Sequence, residues 1–213
     1  MKQSQRLREI GSVFGNSLLL RNPILVAALG LYPAAVCGTL SEAVPMACLL
    51  VVQSVLAGTV LCLAGGSLPG WLRPGAVLIG SAICWIPAAL LMDRWFPGSL
   101  DALGTAAVLQ IANSMVLSRL NEYAPTHIFP AVLADALGCM LGGGLLICLQ
   151  AALRSWLRGA DLWSGSAELP GPLGDAPSLP FFGFLILGFL AAAVQAVNAR
   201  RAKHAGRRRV TKL

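Results

Sequence analysis

The chain has 213 residues, of which 56% are hydrophobic and 12% are charged. So few charged residues cannot cover the surface of a water-soluble protein of this length, which indicates an integral membrane protein. The net charge of +7 does not point to nucleic acid, because the basic residues form no folded basic domain with interleaved aromatic residues. The apolar runs lack the alternation of barrel strands and favour membrane-spanning helices.

The apolar runs predict an all-α membrane protein with six transmembrane helices. Residues 1–21 form a predicted amphipathic segment on the cytoplasmic face, residues 22–198 the membrane domain, and residues 199–213 a basic cytoplasmic tail. Polar segments divide the membrane domain into runs near the length that a span requires. The predicted spans are 22–39, 45–64, 74–92, 104–118, 130–153 and 180–198.

The distribution of basic residues predicts the orientation of the chain. With six spans both termini lie on one side, and thirteen of the sixteen basic residues fall on that side. The excess of Lys and Arg on one side marks the cytoplasm. We therefore expect a multi-pass membrane protein with both termini in the cytoplasm.

The cysteines and histidines do not predict a metal site. All six cysteines lie inside apolar runs without a CxxC pair, which favours buried free thiols. His127 is a loop histidine with no second ligand at metal-binding spacing and is predicted to lie at the surface. The chain also lacks the motifs of nucleotide-binding and hydrolytic enzymes.

The first and fourth predicted spans are short and interrupted. They occupy matching places in two halves of the membrane domain, residues 22–92 and 104–198. Such a pair predicts inverted three-helix repeats with broken first helices and a site near the midplane. The interrupting residues are Gly30, Tyr32 and Pro33 in the first segment, and Gln110, Asn113 and Ser114 in the second.

Several polar residues in the spans are candidates for a role in ion movement or helix contact. Asp135 lies inside the fifth predicted span, where a carboxylate is costly, so it is either part of an ion path or a carboxylate stabilised near a helix N-terminus. Gln110 and Asn113 are predicted to bond the unwound backbone of the opposite half-helix. The glycine-rich run of the same fifth span, Gly142 to Gly144, predicts close helix packing.

The order and spacing of four motifs resemble a known family. The chain is similar to the six-helix membrane subunits shared by the Rnf electron transport complex and the sodium-translocating NADH:quinone reductase, most closely the E-type subunit of Rnf. The motifs are Asn22-Pro23 with Leu29-Gly30-Leu31-x-Pro33; Asn113 with Val116, Arg119 and Glu122-Tyr123-Ala124; Leu133-x-Asp135; and Leu179-Pro180-x-Phe182.

The resemblance implies an iron–sulfur centre at the middle of the membrane, held by cysteines from two related subunits. This chain has Tyr32 and Ser114 at the two positions where the family has cysteine. Because such clusters need thiolate ligands, we expect that the chain does not ligate the cluster by the usual route. Tyr32 and Ser114 are then either remnants of a lost site or packing residues, and packing is favoured.

The resemblance also implies a function. We expect an integral subunit of an Rnf-like oxidoreductase complex in a bacterial inner membrane, paired with a related six-helix subunit of opposite orientation. Its partners would carry flavins and iron–sulfur clusters, and any catalysis would belong to them. Its role would be to build the membrane core for electron and ion movement. The alternatives are a stand-alone transporter of small solutes or ions on the same scaffold, and a structural assembly factor.

Overall fold

The computed structural model describes residues 23–64, 69–124, 126–166 and 176–210, and every regular element in these ranges is a helix. The predicted amphipathic segment at residues 1–21 lies outside the described residues. In chain order the helices are α1 (Pro23–Ala27), α2 (Tyr32–Val36), α3 (Leu40–Ala64), α4 (Arg73–Trp95), α5 (Ser99–Leu103), α6 (Thr105–Leu109), α7 (Ser114–Ser118), α8 (Phe129–Arg158) and α9 (Pro180–Val210).

Short irregular turns connect several of these helices within the described ranges. A 3-10 turn at Gln110–Ala112 joins α6 to α7, and a π-helical turn at Arg119–Tyr123 follows α7. Another 3-10 turn, Ala176–Ser178, precedes α9. The first and fourth predicted spans are therefore interrupted helices, as the sequence indicated.

Among the described residues, four helices are long and apolar enough to cross a membrane: α3, α4, α8 and the Pro180–Val197 part of α9. Their bounds differ from the prediction. Helix α3 begins at Leu40 rather than Pro45, because loop carbonyls of Leu162 and Trp163 accept hydrogen bonds from the N–H groups of Leu40 and Ser41 at 3.0 and 3.3 Å.

The other long helices extend past the apolar runs that predicted them. Helix α8 continues to Arg158, where Gly159 ends it in the left-handed conformation with φ of 68°. Helix α9 passes residue 198 and continues to Val210, so the basic segment predicted as a tail is largely helical. In the sequence, charged residues mark the end of the apolar run that can lie in the hydrocarbon of the membrane. The backbone continues as a helix beyond that point.

The core lies where α3 packs against α8 on one side and α4 on the other. The predicted packing role of the glycine run in α8 is confirmed. A Cβ built on Gly144 would lie 2.9 Å from the Cβ of Ala47 on α3, and one on Gly143 would lie 3.0 Å from Cε of Met115. These glycines therefore let neighbouring elements approach α8 closely.

All six cysteines lie in the described part of the chain and are thiols rather than disulfides, as expected. Cys37, Cys84 and Cys139 are buried, and the other three are half-buried. His127 is exposed and its ring stacks on Tyr123 with a centroid separation of 3.8 Å. Its predicted surface position is therefore confirmed.

Candidate functional site at the crossing of two interrupted helices

The two interrupted segments meet, and the residues that mark their breaks form the contact. The backbone N–H of Gly30 donates to Oγ of Ser114 at 2.9 Å. The hydroxyl of Tyr32 donates to Oε1 of Gln110. The sequence-predicted pair Tyr32 and Ser114 therefore lies at one crossing, together with Gln110 and Asn113.

The first break is produced by backbone conformations that a helix cannot contain. Ala28 and Gly30 have φ values of 54° and 67° between α1 and α2, and Pro33 sits in the first turn of the new helix. A Cβ on Gly30 would lie 2.6 Å from Oδ1 of Asn113. Glycine is thus required at position 30 by both its backbone conformation and the close approach of the second segment.

The second break is organised by Asn113. This residue is extended, with ψ of 118°, and its side-chain oxygen accepts a hydrogen bond from the N–H of Met115, which caps α7. That bond has a length of 3.0 Å. The Asn113 amide nitrogen then donates to Oε1 of Gln110 at 3.1 Å. The cap and the crossing are therefore parts of one hydrogen-bond network.

Two long helices support the crossing from the other side. Nε2 of Gln53 on α3 donates to Oγ of Ser81 on α4 at 2.9 Å, and Ser81 donates to the carbonyl of Ile111 at 3.0 Å. Nε1 of Trp85 donates to the carbonyl of Ala107 at 2.8 Å. These bonds satisfy backbone carbonyls near the break in the second segment, which would otherwise be unpaired inside an apolar environment.

Gln53 and Ser81 belong to this site although the sequence did not predict them there. The sequence did contain a signal for Gln53, because a glutamine at the centre of an apolar span requires a hydrogen-bond partner. Gln53 and Ser81 are both 0% exposed. The identity of their partners depended on where the second segment breaks, which hydropathy alone does not resolve.

A clamp outside the crossing holds the far end of α2. Arg154 of α8 is 3% exposed, and its guanidinium donates to the carbonyls of Ala35 and Cys37 at 3.1 and 3.4 Å. It also donates to the carbonyls of Pro177, Ser178 and Leu179. The fifth predicted span ends at residue 153, which placed Arg154 in a loop. This was wrong, because the residue is helical and buried, and it binds carbonyls freed by the end of α2.

Asp135 lies apart from the crossing in an ion pair. Its Oδ2 is 3.6 Å from Nη1 of Arg119, which belongs to the π-helical turn. The Asp135 side chain is 4% exposed and that of Arg119 is 28% exposed. Both residues line a cavity of about 10 Å³, which is the lower limit for holding one water, together with Ser54 and Tyr123. A buried carboxylate with an arginine partner avoids the cost of an isolated charge.

The residues at the crossing do not fit an iron–sulfur cluster. Their side chains offer amide and hydroxyl groups, whereas these clusters need thiolates. Cys37 follows the far end of α2, and residues 104–118 contain no cysteine. No group of three or more His, Cys, Asp or Glu residues in the described part of the chain is arranged to hold a metal ion.

These features define a helical membrane protein with two interrupted helices that cross in its interior. Residues 10–198 match the model of the Rnf-Nqr subunit membrane protein family, so the chain belongs to this family. The E-type subunit of the ion-translocating oxidoreductase complex from Edwardsiella ictaluri is 26% identical, over 95% of this chain and 92% of the relative. The corresponding protein from Rhodobacter capsulatus is 28% identical, over 85% and 81% respectively.

Proposed function

We propose that this chain is the E-type membrane subunit of an ion-translocating oxidoreductase complex. The single observation that carries the proposal is the match to the family over residues 10–198. The named relatives align over most of their own length, as in the 92% covered in the Edwardsiella ictaluri protein. Their names describe a component of a complex, which favours this function over a stand-alone transporter.

The proposed architecture is six spans in two inverted three-helix repeats. The order of elements supports it, because each interrupted segment is followed by two long apolar helices. The first interrupted segment precedes α3 and α4, and the second precedes α8 and α9. A related six-helix subunit of opposite orientation is the proposed neighbour in a bacterial inner membrane, with both termini of this chain in the cytoplasm.

We further propose that this subunit does not ligate an iron–sulfur cluster. The hydrogen bonds from Gly30 to Ser114 and from Tyr32 to Gln110 support this, because they engage the hydroxyl groups at the two positions where the family has cysteine. The flavins and iron–sulfur clusters of the complex would then be held by partner subunits. This chain would supply a fixed crossing of two half-helices within the membrane core.

Asp135 is the proposed ionisable position of an ion path in this subunit. Its support is burial next to a cavity of about 10 Å³ and the rarity of carboxylates within spans. Because Asp135 is paired with Arg119, a cation that binds the carboxylate would have to displace the Arg119 guanidinium or bind beside it. Gln110 and Asn113 have the different proposed role of half-helix contacts.

Purification of the chain from its native membrane in mild detergent tests the complex. A tagged chain is expected to bring with it flavoprotein and iron–sulfur subunits in fixed ratios. The chain isolated alone at native expression level, with saturable uptake of a small solute, would contradict the proposal. A matched control is the same purification with the tag on an unrelated six-span protein.

Iron bound at the crossing is measured on the chain purified together with the related six-helix subunit alone, because the resemblance implies that cysteines of both subunits hold the cluster. We expect less than stoichiometric iron and no cluster signal by electron paramagnetic resonance in either redox state. The double variant Tyr32→Cys with Ser114→Cys restores thiols at the crossing and is the matched test of the site. Stoichiometric iron bound by the unmodified chain would overturn the absence of ligation.

A further inference from the structure

Three glutamines in the membrane domain have buried amide atoms without a hydrogen-bond partner among the described residues. Gln53, Gln110 and Gln150 are each 0% exposed. The atoms are Oε1 of Gln53, Nε2 of Gln110 and both amide atoms of Gln150. An unsatisfied buried polar atom costs about 1–3 kcal/mol, so these atoms point to a ligand that completes their hydrogen bonds.

The surrounding bonds fix the orientation of the amide of Gln110. The N–H of Met115 requires the oxygen of Asn113, so the Asn113 nitrogen faces Gln110 and requires the Gln110 oxygen in turn. Tyr32 donates to the same oxygen. The free atom of Gln110 is therefore an N–H donor.

The orientation of Gln53 is fixed by backbone acceptors. Its nitrogen faces the carbonyls of Ser81 and Gln110 at 3.5 and 3.4 Å, and it donates to Oγ of Ser81 at 2.9 Å. Oγ of Ser81 is itself committed as a donor to Ile111. The free atom of Gln53 is therefore an acceptor.

A donor and an acceptor at one crossing select the chemical class of the ligand. A bare cation is repelled by the N–H of Gln110, and an anion is repelled by the amide oxygen of Gln53. A thiolate-held metal centre can accept a hydrogen bond from the N–H of Gln110, but it offers no donor to the amide oxygen of Gln53. Water can donate to one and accept from the other, and buried waters are typically held by otherwise unsatisfied polar groups.

Gln150 extends the same pattern along α2. A Cβ built on Gly183 of α9 would lie 3.0 Å from Nε2 of Gln150 and would overlap the carbonyl oxygen of Ala34. Gln150 therefore lies beside the backbone of α2, between the crossing and the Arg154 clamp one helical turn further along α8. Its amide offers both a donor and an acceptor, which again suits water.

We propose that α2 is flanked by bound water at the Gln53–Gln110 crossing and at Gln150. The proposal deepens the proposed function, on which it rests, by naming the ligand of the crossing. The crossing is then a hydrated hydrogen-bond junction in the interior of the membrane domain. Water completes the polar network at the place where the family resemblance implies a metal centre.

Hydroxyl-radical labelling of the full chain in lipid nanodiscs tests this proposal, because radicals generated from bound water oxidise adjacent buried side chains. Met115 lies at the crossing and is 0% exposed, and the equally buried Met46 and Met92 are internal comparators on α3 and α4. We expect Met115 to be oxidised at least about fivefold faster than the comparators. Equal rates at the three methionines would overturn the proposal.

The variant Gln53→Leu removes one of the polar atoms that hold the proposed water. We expect it to lower the labelling of Met115 by at least about half. Thr59→Val is the matched control, because Oγ1 of Thr59 bonds the carbonyl of Val55 within α3. Unchanged labelling in Gln53→Leu would also overturn the proposal.

The outcome is independent of the proposed complex. Labelling is measured on the separate chain and requires no partner subunit, electron donor or activity. A chain that purifies alone but is labelled at Met115 would overturn the proposed function and retain the hydrated crossing. A chain that purifies in the complex without this labelling would support the proposed function and overturn the hydrated crossing.

Discussion

Gly30 and Ser114 are separated by 84 positions in the sequence, yet the N–H of one donates to the hydroxyl of the other at 2.9 Å. This bond joins the two interrupted segments. It satisfies a backbone donor that the break after α1 removes from helical hydrogen bonding. The serine at this position is therefore a structural acceptor.

Replacement of Ser114 with alanine is expected to destabilise the chain. The N–H of Gly30 loses its acceptor in a buried environment, with an expected cost of about 1–3 kcal/mol. Thermal unfolding in detergent, followed by intrinsic tryptophan fluorescence, measures the change. Ser118→Ala is the control, because that hydroxyl only bonds a carbonyl three residues earlier. Equal melting temperatures for the two variants would refute the role of Ser114.

Arg154 is expected to be less tolerant of substitution than Arg158, the other basic residue of α8. Its guanidinium serves five carbonyls, and the ammonium of lysine cannot reach the same set. Arg154→Lys should therefore lower stability by about 2–4 kcal/mol. Limited proteolysis and thermal unfolding report the loss, and cleavage within residues 28–39 should increase first.

Arg158→Lys at the end of α8 supplies the comparison for this prediction. Arg158 is half-buried, and a lysine there keeps a cation at the helix C-terminus. We expect a change within about 0.5 kcal/mol. A loss of stability in Arg158→Lys as large as that in Arg154→Lys would show that the hydrogen bonds of the Arg154 clamp are not the cause of the loss.

The break in the first segment could be predicted from the sequence, whereas the role of Arg154 in stabilising it could not. Gly30, Tyr32 and Pro33 interrupt an apolar run, so the break in the first segment is visible from composition. Arg154 resembles a loop residue by charge, and its carbonyl partners arise only because α2 ends near Cys37. A local pattern therefore predicts the break, whereas the groups that stabilise it come from distant parts of the chain.

The predicted bounds of the long helices differ from the observed bounds for a related reason. Hydropathy reports where a residue can meet lipid, and α9 continues to Val210 after that region ends. Similarly, the early start of α3 depends on carbonyls of Leu162 and Trp163, more than a hundred residues away. Such tertiary capping is not encoded within the helix itself.

The Arg119–Asp135 pair is expected to show strong coupling in a double-mutant cycle. Asp135→Asn alone removes the negative charge beside the buried part of Arg119, and Arg119→Gln alone leaves a buried carboxylate without this cation. Breaking one side of a buried pair costs about 3–5 kcal/mol, whereas removing both charges is better tolerated. Thermal stability of the four proteins gives the coupling, and additive losses would contradict a functional ion pair.

The loop after α8 is expected to make stability depend on acid pH. The N–H and hydroxyl of Ser164 and the N–H of Trp163 donate to the Asp161 carboxylate. The backbone bond from Ser164 is the main reason that the pKa of Asp161 is lowered. Because the folded pKa is lowered, this contribution is present above the ordinary value of about 4 and is lost as pH falls through the lowered value.

Melting temperatures of wild type and Asp161→Asn between neutral and acid pH measure that contribution. The wild type should lose stability relative to the variant as the carboxyl protonates, and Asp101→Asn, on exposed α5, should not reproduce this difference. Parallel curves for wild type and Asp161→Asn would contradict the assignment.

Substitution of Gly144 tests the close contact between α3 and α8. A Cβ there would lie 2.9 Å from the Cβ of Ala47 and 3.6 Å from its Cα, so part of the contact is against backbone that cannot rotate away. Gly144→Val should therefore separate the helices and cost about 1–3 kcal/mol through overpacking. Gly188→Val on α9 is the matched control, because a Cβ at Gly188 meets nothing within 4 Å. Thermal unfolding of both variants in the same nanodiscs should show a large loss for Gly144→Val and a small one for Gly188→Val. If the losses were equal, the contact with Ala47 would not be what limits the size of residue 144.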